Sequence, residues 1–489
     1  MIQREFRELL VSAFNEGELV TLCADLQIDY SNLPGVTKED KARELIAYQE
    51  RRGLMSELAA ECQRLRPNLS WPSSFNNERR NHLKNHNPYS WNTVNPEICY
   101  GRNEILDEML NHLPGNPRQS FGISGARRIG KTTLLRRVEL ELKAEIDQWH
   151  YSGLKVIPIY IDGLALPRPL YPSDVWAIIL KNLQVALPQQ FHVPEHIDFD
   201  TFKTVIKPVL LNLQDIPRII VIFDEIEPII ICDWSDSFLA HWRALLGNTP
   251  GLSEFFTAVF AGAREMTALR QDIGSPLKDI LEWHNLQAFD YEDTCQLMQE
   301  PIDRLWPERF LKKVYTETGG HPMLLQYLMQ KMYEKSFEEI DIALDSAIQE
   351  FFQKRRWQFS EWWERYCTKE AQLIYMRLPD NSESTTLRSL VQEFGTSITH
   401  DALDILQHVG IACAEDAGFS YRYNGEMFRR WYKQYGMLAE ISLHDPELYT
   451  RLLQIGDILA AKYLSAWKIF NTDLPNYSSA VGEMRDVLT

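Results

Sequence analysis

Hydrophobic residues in the first part of the chain recur mostly three and four positions apart, which is the spacing of amphipathic helices. Phe6, Leu10 and Phe14 begin this pattern, and it continues as far as Leu65. Glycine, proline and asparagine interrupt it at intervals and mark turns between helices. The pattern predicts a compact helical unit over residues 1–70.

The apolar pattern stops at residue 71. From there to residue 96 the chain is rich in proline, serine, asparagine and histidine, as in the stretches 72–77 and 86–92. Such a composition cannot bury a continuous apolar face. We therefore expect residues 71–96 to form a linker or an extended arm.

Short apolar runs then alternate with segments long enough for crossover helices, which is typical of a parallel α/β sheet. The sequence thus predicts an α/β domain over residues 97–285. The runs predicted as strands are 121–124, 156–161, 219–223 and 258–261.

The strand pattern disappears after this domain, and helical spacing dominates residues 286–355, predicted as a helical lid. Three helices and a hairpin-like stretch at 411–423 then follow, in the order expected of a winged helix over 356–433. The tail 434–489 is predicted to be helical and carries no recognisable chemistry. The predicted fold class is therefore a multidomain protein that combines an α/β sheet with all-α parts.

Composition is ordinary for a globular protein: of 489 residues, 45% are hydrophobic and 24% are charged. A chain of this length is too long for one core and suits three or four domains. The formal charge of −17 repels nucleic acid and anionic membranes, so protein partners are expected and nucleic acid is not.

Nothing in the sequence indicates export or membrane insertion. The N-terminus lacks a signal-peptide apolar region, and no uninterrupted apolar stretch approaches the length of a membrane span. The seven cysteines are scattered without a C-x-x-C pair, which favours reduced thiols over disulfides or metal ligation. We expect a cytoplasmic protein.

The strongest chemical motif is G-x-x-x-x-G-K-T, which runs from Gly125 to Thr132 between a predicted strand and a predicted helix. In such a phosphate loop the backbone N–H groups and the helix N-terminus face the phosphates. Lys131 would reach the β and γ oxygens, and Thr132 would hold Mg²⁺. The predicted nucleotide contacts are Gly125, Gly130, Lys131, Thr132 and Thr133, with ATP or ADP and Mg²⁺ as the ligands; the competing interpretation is a glycine-rich turn without a ligand.

Two carboxylates, Asp224 and Glu225, directly follow the apolar run at 219–223. A phosphate loop requires acidic residues of this kind at the end of a buried strand. Asp224 would hold Mg²⁺ through water, and Glu225 would orient or activate the attacking water. The alternative is a strand that ends in solvated acids. Glu227 and Asp233 are interpreted as ordinary surface acids.

An arginine, Arg264, follows the fourth apolar run and is expected at the carboxyl edge of the sheet, where ligands bind in open α/β folds. It would sense the γ-phosphate by a bidentate contact, unless it is a plain surface arginine. Arg127 and Arg128 occupy variable positions of the loop, where a side chain can meet phosphate or can point to solvent or to a neighbouring subunit.

These motifs together resemble the STAND class of signal-transducing phosphate-loop ATPases, which includes apoptotic and plant-immunity switch proteins. Residues 98–104 resemble the family's hhGRExE box, with Asn103 in place of the usual Glu, and this resemblance implies that Arg102 packs near the adenine. Gly320, His321 and Pro322 match the family's GxP motif, which implies that His321 and Pro322 open a lid helix facing the nucleotide.

The winged-helix segment resembles the family's domain that clamps ADP in the resting state. Where those relatives carry the histidine of a Met-His-Asp motif after the wing, this chain has Tyr423, Asn424 and Gly425. The role of that histidine therefore does not transfer by motif.

The N-terminal unit is similar to the death-like effector-associated domains of bacterial conflict proteins, on the strength of the stretches 14–23, 42–48 and 51–67. The resemblance implies pairing with a matching domain on a separate effector protein. A generic helical bundle that caps the ATPase is the alternative.

The leading hypothesis is a switch of bacterial defence or regulated cell death. ADP holds it closed, exchange for ATP opens it and promotes homo-oligomerisation, and slow ATP hydrolysis resets it. One alternative is a DNA-directed ATPase that uses the winged helix. The candidate recognition helix at 398–408 argues against this, because it contains two aspartates and no lysine or arginine. Another alternative is a scaffold that binds ATP without hydrolysing it.

Overall fold

The computed structural model describes residues 2–71 and 87–436, apart from short gaps at 27, 29, 31–32, 34–36, 52–54, 68, 70, 116, 145–153, 214–215, 273, 303 and 380–383. Most of the predicted linker and the tail from residue 437 onward lie outside the described residues. The chain divides into two compact units, Met1–Asn87 and Pro88–Thr489.

The first unit is built from helices whose apolar faces form one core. Phe6, Leu10 and Phe14 are buried in this core as their spacing predicts, and Trp71 packs against Phe6 with ring centroids 5.2 Å apart. Asn15 begins the second helix with a capping box, which fixes the turn before it. The described residues of this unit form α1 (Ile2–Ala13), α2 (Glu16–Asp25), α3 (Lys38–Arg51) and α4 (Met55–Leu65).

The second unit begins with a five-stranded parallel sheet flanked by helices. The strand order is β2-β3-β4-β1-β5, so β4 lies between β1 and β3. Its elements are α5 (Asn103–His112), β1 (Ser120–Ser124), α6 (Lys131–Ala144), β2 (Leu154–Asp162), α7 (Pro172–Ala186), α8 (Phe199–Leu211), β3 (Ile216–Asp224), α9 (Glu227–Ile230), α10 (Ser235–Arg243), β4 (Phe256–Gly262), α11 (Arg264–Gln271) and β5 (Leu281–Asn285).

The parallel α/β sheet predicted from the sequence is present, with one strand more than the four predicted. The additional strand, β5, lies at the edge of the sheet and pairs only with β1 among the described strands. It mixes the apolar residues Leu281 and Trp283 with polar ones, and most of its positions are half-buried. The strands were predicted from fully apolar runs, which are typical of inner strands, so this edge strand was missed.

Helices dominate the rest of the unit, and a small antiparallel sheet of order β6-β8-β7 lies near its end. The elements are α12 (Tyr291–Gln299), α13 (Glu308–Thr318), α14 (Pro322–Met332), α15 (Ile340–Arg355), α16 (Trp357–Glu361), α17 (Lys369–Met376), β6 (Thr385–Thr386), α18 (Leu387–Phe394), α19 (Thr396–Val409), β7 (Ala412–Glu415), β8 (Ser420–Tyr423) and α20 (Glu426–Trp431).

One hydrophobic core joins these helices to the small sheet. It extends from Phe289 to Tyr432 and also includes Ala126 of the phosphate loop. The segments predicted as lid and winged helix therefore share a core, and that core touches the loop. This contact decides which side chains surround the candidate site.

The described part of the chain contains no helix both long and apolar enough to cross a membrane. All seven cysteines lie in described residues and are free.

Candidate nucleotide-binding site

The phosphate loop connects β1, which is buried along its whole length, to the N-terminus of α6. A Cβ at Gly125 would lie 2.7 Å from the Cγ2 of Ile129, so no side chain fits there. Gly130 has φ of +104°, which favours glycine. Glycine is therefore required at each of the two motif positions for a different steric reason. The backbone amides in the first turn of α6 have no intrahelical hydrogen-bond partners, as at any helix N-terminus.

Lys131 is only 3% exposed, and its Nζ donates hydrogen bonds to the carbonyl oxygens of Gly125 (2.8 Å) and Ala126 (3.2 Å). In the described residues no carboxylate forms an ion pair with it. A buried cation that meets only carbonyl groups is costly, and an anion in the loop would compensate it. Thr132 and Thr133 are half-buried in the following turn of α6.

Asp224 ends β3 and is 3% exposed. Its Oδ1 accepts a hydrogen bond from the backbone N–H of Glu225 at 3.0 Å, and its Oδ2 accepts one from the hydroxyl of Tyr160 at 2.6 Å. Both carboxylate oxygens are thus held, and each keeps a lone pair for another ligand.

Glu225 is half-buried and has φ of +50°, a left-handed conformation that is uncommon outside glycine. A Cβ at Gly163 would lie 2.0 Å from the carbonyl oxygen of Glu225. The close approach of these two backbones holds Glu225 in its turn. Strained backbone of this kind is frequent at functional sites.

Glu227 is not the ordinary surface acid that the sequence suggested, whereas Asp233 is exposed. The Oε1 of Glu227 accepts a hydrogen bond from the N–H of Ala263, directly before Arg264. Burial raises the pKa of Glu227, and the Glu225 carboxylate raises it further, while Lys131 acts in the opposite direction. The three groups therefore lie within electrostatic reach of one another. The prediction failed because a sequence does not show which strand ends become neighbours.

Arg264 and Arg102 differ in how they are held. Arg264 is the exposed first residue of α11, next to β4, and among the described residues its guanidinium has no hydrogen-bond partner. Arg102 donates to the carbonyl oxygens of Gln287 and, at 3.5 Å, Ile129, and it stacks on Phe289. Burial lowers the pKa of Arg102 to about 10. Arg102 thus braces the side of the loop, while Arg264 is free to meet a ligand.

Pro322 is the first residue of α14, as the motif predicts, and His321 is its N-cap. The His321 ring is 1% exposed and stacks on Trp362 with centroids 4.2 Å apart, and among the described residues neither ring nitrogen has a hydrogen-bond partner. Burial lowers the pKa of His321 to about 3, and the charge of Arg128 acts in the same direction. His321 is therefore a neutral side chain between the loop and the C-terminal helices.

A second buried histidine, His408 on α19, was missed by the sequence reasoning. Its Nδ1 is 2.7 Å from the Oδ1 of Asn285 at the end of β5, and its buried Nε2 has no hydrogen-bond partner in the part of the chain that the structure describes. Burial lowers the pKa of His408 to about 3; the ammonium of Lys131 lowers it further, and the backbone of Gly125 has the opposite effect. No motif marks His408, because only the tertiary packing brings α19 to the loop.

We expect these two histidines to make the second unit sensitive to acid. Their pKa values of about 3 lie below the ordinary 6.5, so the unfolded chain binds more protons, and stability is lost as the pH falls below 6.5. Between pH 7.5 and 5.0 the loss is about 2 kcal/mol per histidine. Thermal unfolding of the full chain without nucleotide at the two pH values measures it.

The matched variant is His321→Phe, which keeps the ring against Trp362 but binds no proton. It should remove about half of the histidine contribution to the pH dependence. An unchanged pH dependence in this variant would contradict the assignment.

Two arginines of the loop are held from outside the sheet domain. Arg127 forms an ion pair with Glu361 of α16 at 2.9 Å. Arg128 has φ of +69°; its Nη1 lies 3.4 Å from the carbonyl oxygen of Trp91, and its guanidinium packs over the Trp91 ring. Neither arginine simply points to solvent.

The donor set suits a nucleotide-bound Mg²⁺ better than a metal held by protein alone. In the described ranges no three or more His, Cys, Asp or Glu side chains form a group that could hold a metal. Thr132 would supply one oxygen directly and Asp224 would hold the metal through a water ligand, and phosphate oxygens and further water would supply the rest.

Comparison with known proteins identifies the first unit. Residues 6–67 match the model of the family described as effector-associated domain 7, which confirms the resemblance drawn from the sequence. No curated protein matches the chain in sequence.

Among solved structures, a Walker-type ATPase of Pyrococcus abyssi aligns with 68% of this chain and 96% of its own, at 15% identity and a TM-score of 0.43. The ORC1 protein of Aeropyrum pernix in complex with DNA aligns with 70% of this chain and 94% of its own, at 14% identity and a TM-score of 0.38. Similarity at this level carries no information on ligand or partner. By its own sheet and loop, the chain joins an effector-associated domain to an α/β domain of the phosphate-loop ATPase type.

Proposed function

We propose that this protein is a nucleotide-controlled signalling switch of the STAND type. ADP would hold the second unit closed, and exchange for ATP would open it, promote homo-oligomerisation and present the N-terminal domain to an effector. The observation that carries the nucleotide part is Lys131, a buried cation in a phosphate loop that has no carboxylate partner among the described residues.

The closed state is supported by contacts between the loop and segments far along the chain. Glu361 pairs with Arg127, and His408 lies within electrostatic reach of Lys131. A ligand in the loop therefore touches, or lies next to, groups of α16 and α19. A nucleotide that favours one arrangement of these helices over another shifts the population between the two states.

Asn424 stands where relatives of the family carry the histidine that acts in the resting state, and its contacts indicate a different role. Its Nδ2 donates to the carbonyl oxygens of Gly319 (2.6 Å) and Gly410 (3.1 Å). It thus joins the turn before α14 to the turn before β7. We assign Asn424 to holding the helical segments together and His408 to the neighbourhood of the phosphates.

A route from the loop toward the N-terminal domain is supported by the C-terminal part of the predicted linker. Tyr89 is buried and donates to the carbonyl oxygen of Met298, and the Trp91 ring packs between Arg128 and Arg355. A nucleotide that moves Arg128 would loosen this segment, which continues through the linker to the effector-associated domain.

Within this proposal the site residues keep the roles expected from the sequence. Asp224 and Thr132 hold Mg²⁺, Glu225 prepares the attacking water, Arg264 senses the γ-phosphate, and Arg102 supports the loop beside the adenine. Hydrolysis is slow and sets the lifetime of the open state.

DNA binding is the second candidate, and the charges near the small sheet disfavour it. Arg422 pairs with Glu415, Arg430 pairs with Glu317, and Arg429 is buried and donates to a backbone carbonyl. Asp401 and Asp404 are exposed on α19. Phosphate contacts need free cations, and these arginines are engaged. A measured affinity for duplex DNA that weakens steeply with salt would favour the DNA-binding hypothesis instead.

The adaptor part predicts a like-with-like interaction. Residues 1–70, used as bait, are expected to recover a protein that bears a similar small helical domain, identified by mass spectrometry. The matched comparison uses two further baits, the full chain and a chain that lacks residues 1–70. Recovery of the same partner after removal of residues 1–70 would contradict the adaptor role.

A further inference from the structure

Tyr160 lies beside the carboxylate expected to hold Mg²⁺. It is on β2, and the parallel register places Tyr160 opposite Ile222 and Asp162 opposite Asp224. Tyr160 and Asp224 are therefore diagonal neighbours on one face of the sheet, within reach of an aromatic side chain. The hydroxyl closes this gap with a hydrogen bond of 2.6 Å to the Oδ2 of Asp224.

The tyrosine ring is fixed from its other side. The guanidinium of Arg136 lies 3.4 Å from the centroid of the Tyr160 ring, and Arg136 is paired with Glu139 at 2.8 Å. Both residues are on α6, the helix that begins at the phosphate loop. A continuous set of contacts thus runs from this helix through the tyrosine to Asp224.

The hydrogen bond has a defined donor. An ionised carboxylate only accepts hydrogen bonds, so the phenol hydroxyl of Tyr160 is the donor and the Oδ2 of Asp224 is the acceptor. With Glu225 N–H on the other oxygen, the plane of the carboxylate is fixed.

We infer that Tyr160 is a positioning residue that orients Asp224 toward the Mg²⁺ of the bound nucleotide. This inference rests on the proposed nucleotide site. Partners that hydrogen-bond a metal-binding carboxylate orient it, and their loss typically costs about 10- to 100-fold in metal affinity. Tyr160 would act through Asp224 without touching the metal.

The deciding variant is Tyr160→Phe, which keeps the ring under Arg136 and removes only the hydroxyl. Fluorescent ATP binding to the full chain is titrated with MgCl₂. We expect the half-saturating Mg²⁺ concentration to rise about 10-fold, while nucleotide affinity in EDTA stays unchanged. A residue with a purely structural role would move both values or neither.

Two further variants complete the test. Tyr171→Phe, at an exposed tyrosine, is the matched control and should leave the titration unchanged. Arg136→Leu keeps the hydroxyl but frees the ring, and it should shift the Mg²⁺ requirement in the same direction by a smaller factor, which keeps the inference testable if Tyr160→Phe does not fold.

The outcomes separate the inference from the proposed function. A wild-type chain that binds nucleotide with no dependence on Mg²⁺ would overturn the Mg²⁺ site as a whole. A Mg²⁺-dependent wild type with the same half-saturating concentration in Tyr160→Phe would overturn only the role of Tyr160.

Discussion

Replacing Glu225 with glutamine should lower the rate of ATP hydrolysis by about 100-fold or more while ATP binding stays within about 3-fold of the wild type. Glutamine has nearly the same shape as glutamate but cannot accept the proton of the attacking water. The backbone of Glu225 is fixed in a left-handed turn against Gly163, so a substitution that preserves side-chain volume should leave the turn in place. The rate is measured under single-turnover conditions with the full chain, because the wild-type reaction is expected to be slow.

The control for this experiment is Asp233→Asn, which removes an exposed carboxylate that follows α9. It should hydrolyse ATP at the wild-type rate. Equal turnover of Glu225→Gln and the wild type would remove the hydrolytic assignment and favour a scaffold that only binds ATP.

Replacing Lys131 with alanine should weaken ATP and ADP binding by about 100-fold. A hydrogen bond to a charged group contributes about 1.5–3 kcal/mol, and the ammonium would make at least one such bond to the phosphates, in addition to neutralising their charge. Titration calorimetry with the full chain measures the affinity. Without nucleotide the variant should unfold at a temperature no lower than the wild type, because the buried ammonium gains only two carbonyl contacts.

Lys143→Ala is the matched control, since Lys143 lies in the last turn of the same helix, is exposed and pairs with Glu139. It should bind nucleotide like the wild type. Normal binding by Lys131→Ala would leave the loop as a glycine-rich turn without a phosphate role.

Local motifs were enough to predict where on strands, helices and loops the candidate residues of single segments lie. The loop between β1 and α6, the acids at the end of β3, the arginine after β4 and the proline that begins α14 all lie where the sequence suggested. Each is defined by residues adjacent in the chain, so strand and helix patterns and glycine spacing carry the signal.

Contacts between distant segments could not be predicted in this way. Glu227 reads as a surface acid until β4 brings Ala263 beside it, and β5 is too polar to stand out as a strand. His408 and Tyr160 carry no motif at all. The strand register places Tyr160 beside Asp224, and the packing of α19 brings His408 near Lys131 on a helix that is distant in the sequence.

The sequence by itself determined the type of each part of the chain: an N-terminal effector-associated helical domain, an α/β domain with a phosphate loop, and a helical remainder. Hydrophobic periodicity and motif spacing are local properties, so they can be recognised from the sequence alone. Only the tertiary structure decided that Glu361 and His408 meet the loop and that Tyr160 holds Asp224. Those pairings depend on which faces bury one another in a shared core, and that is a property of the packed chain as a whole.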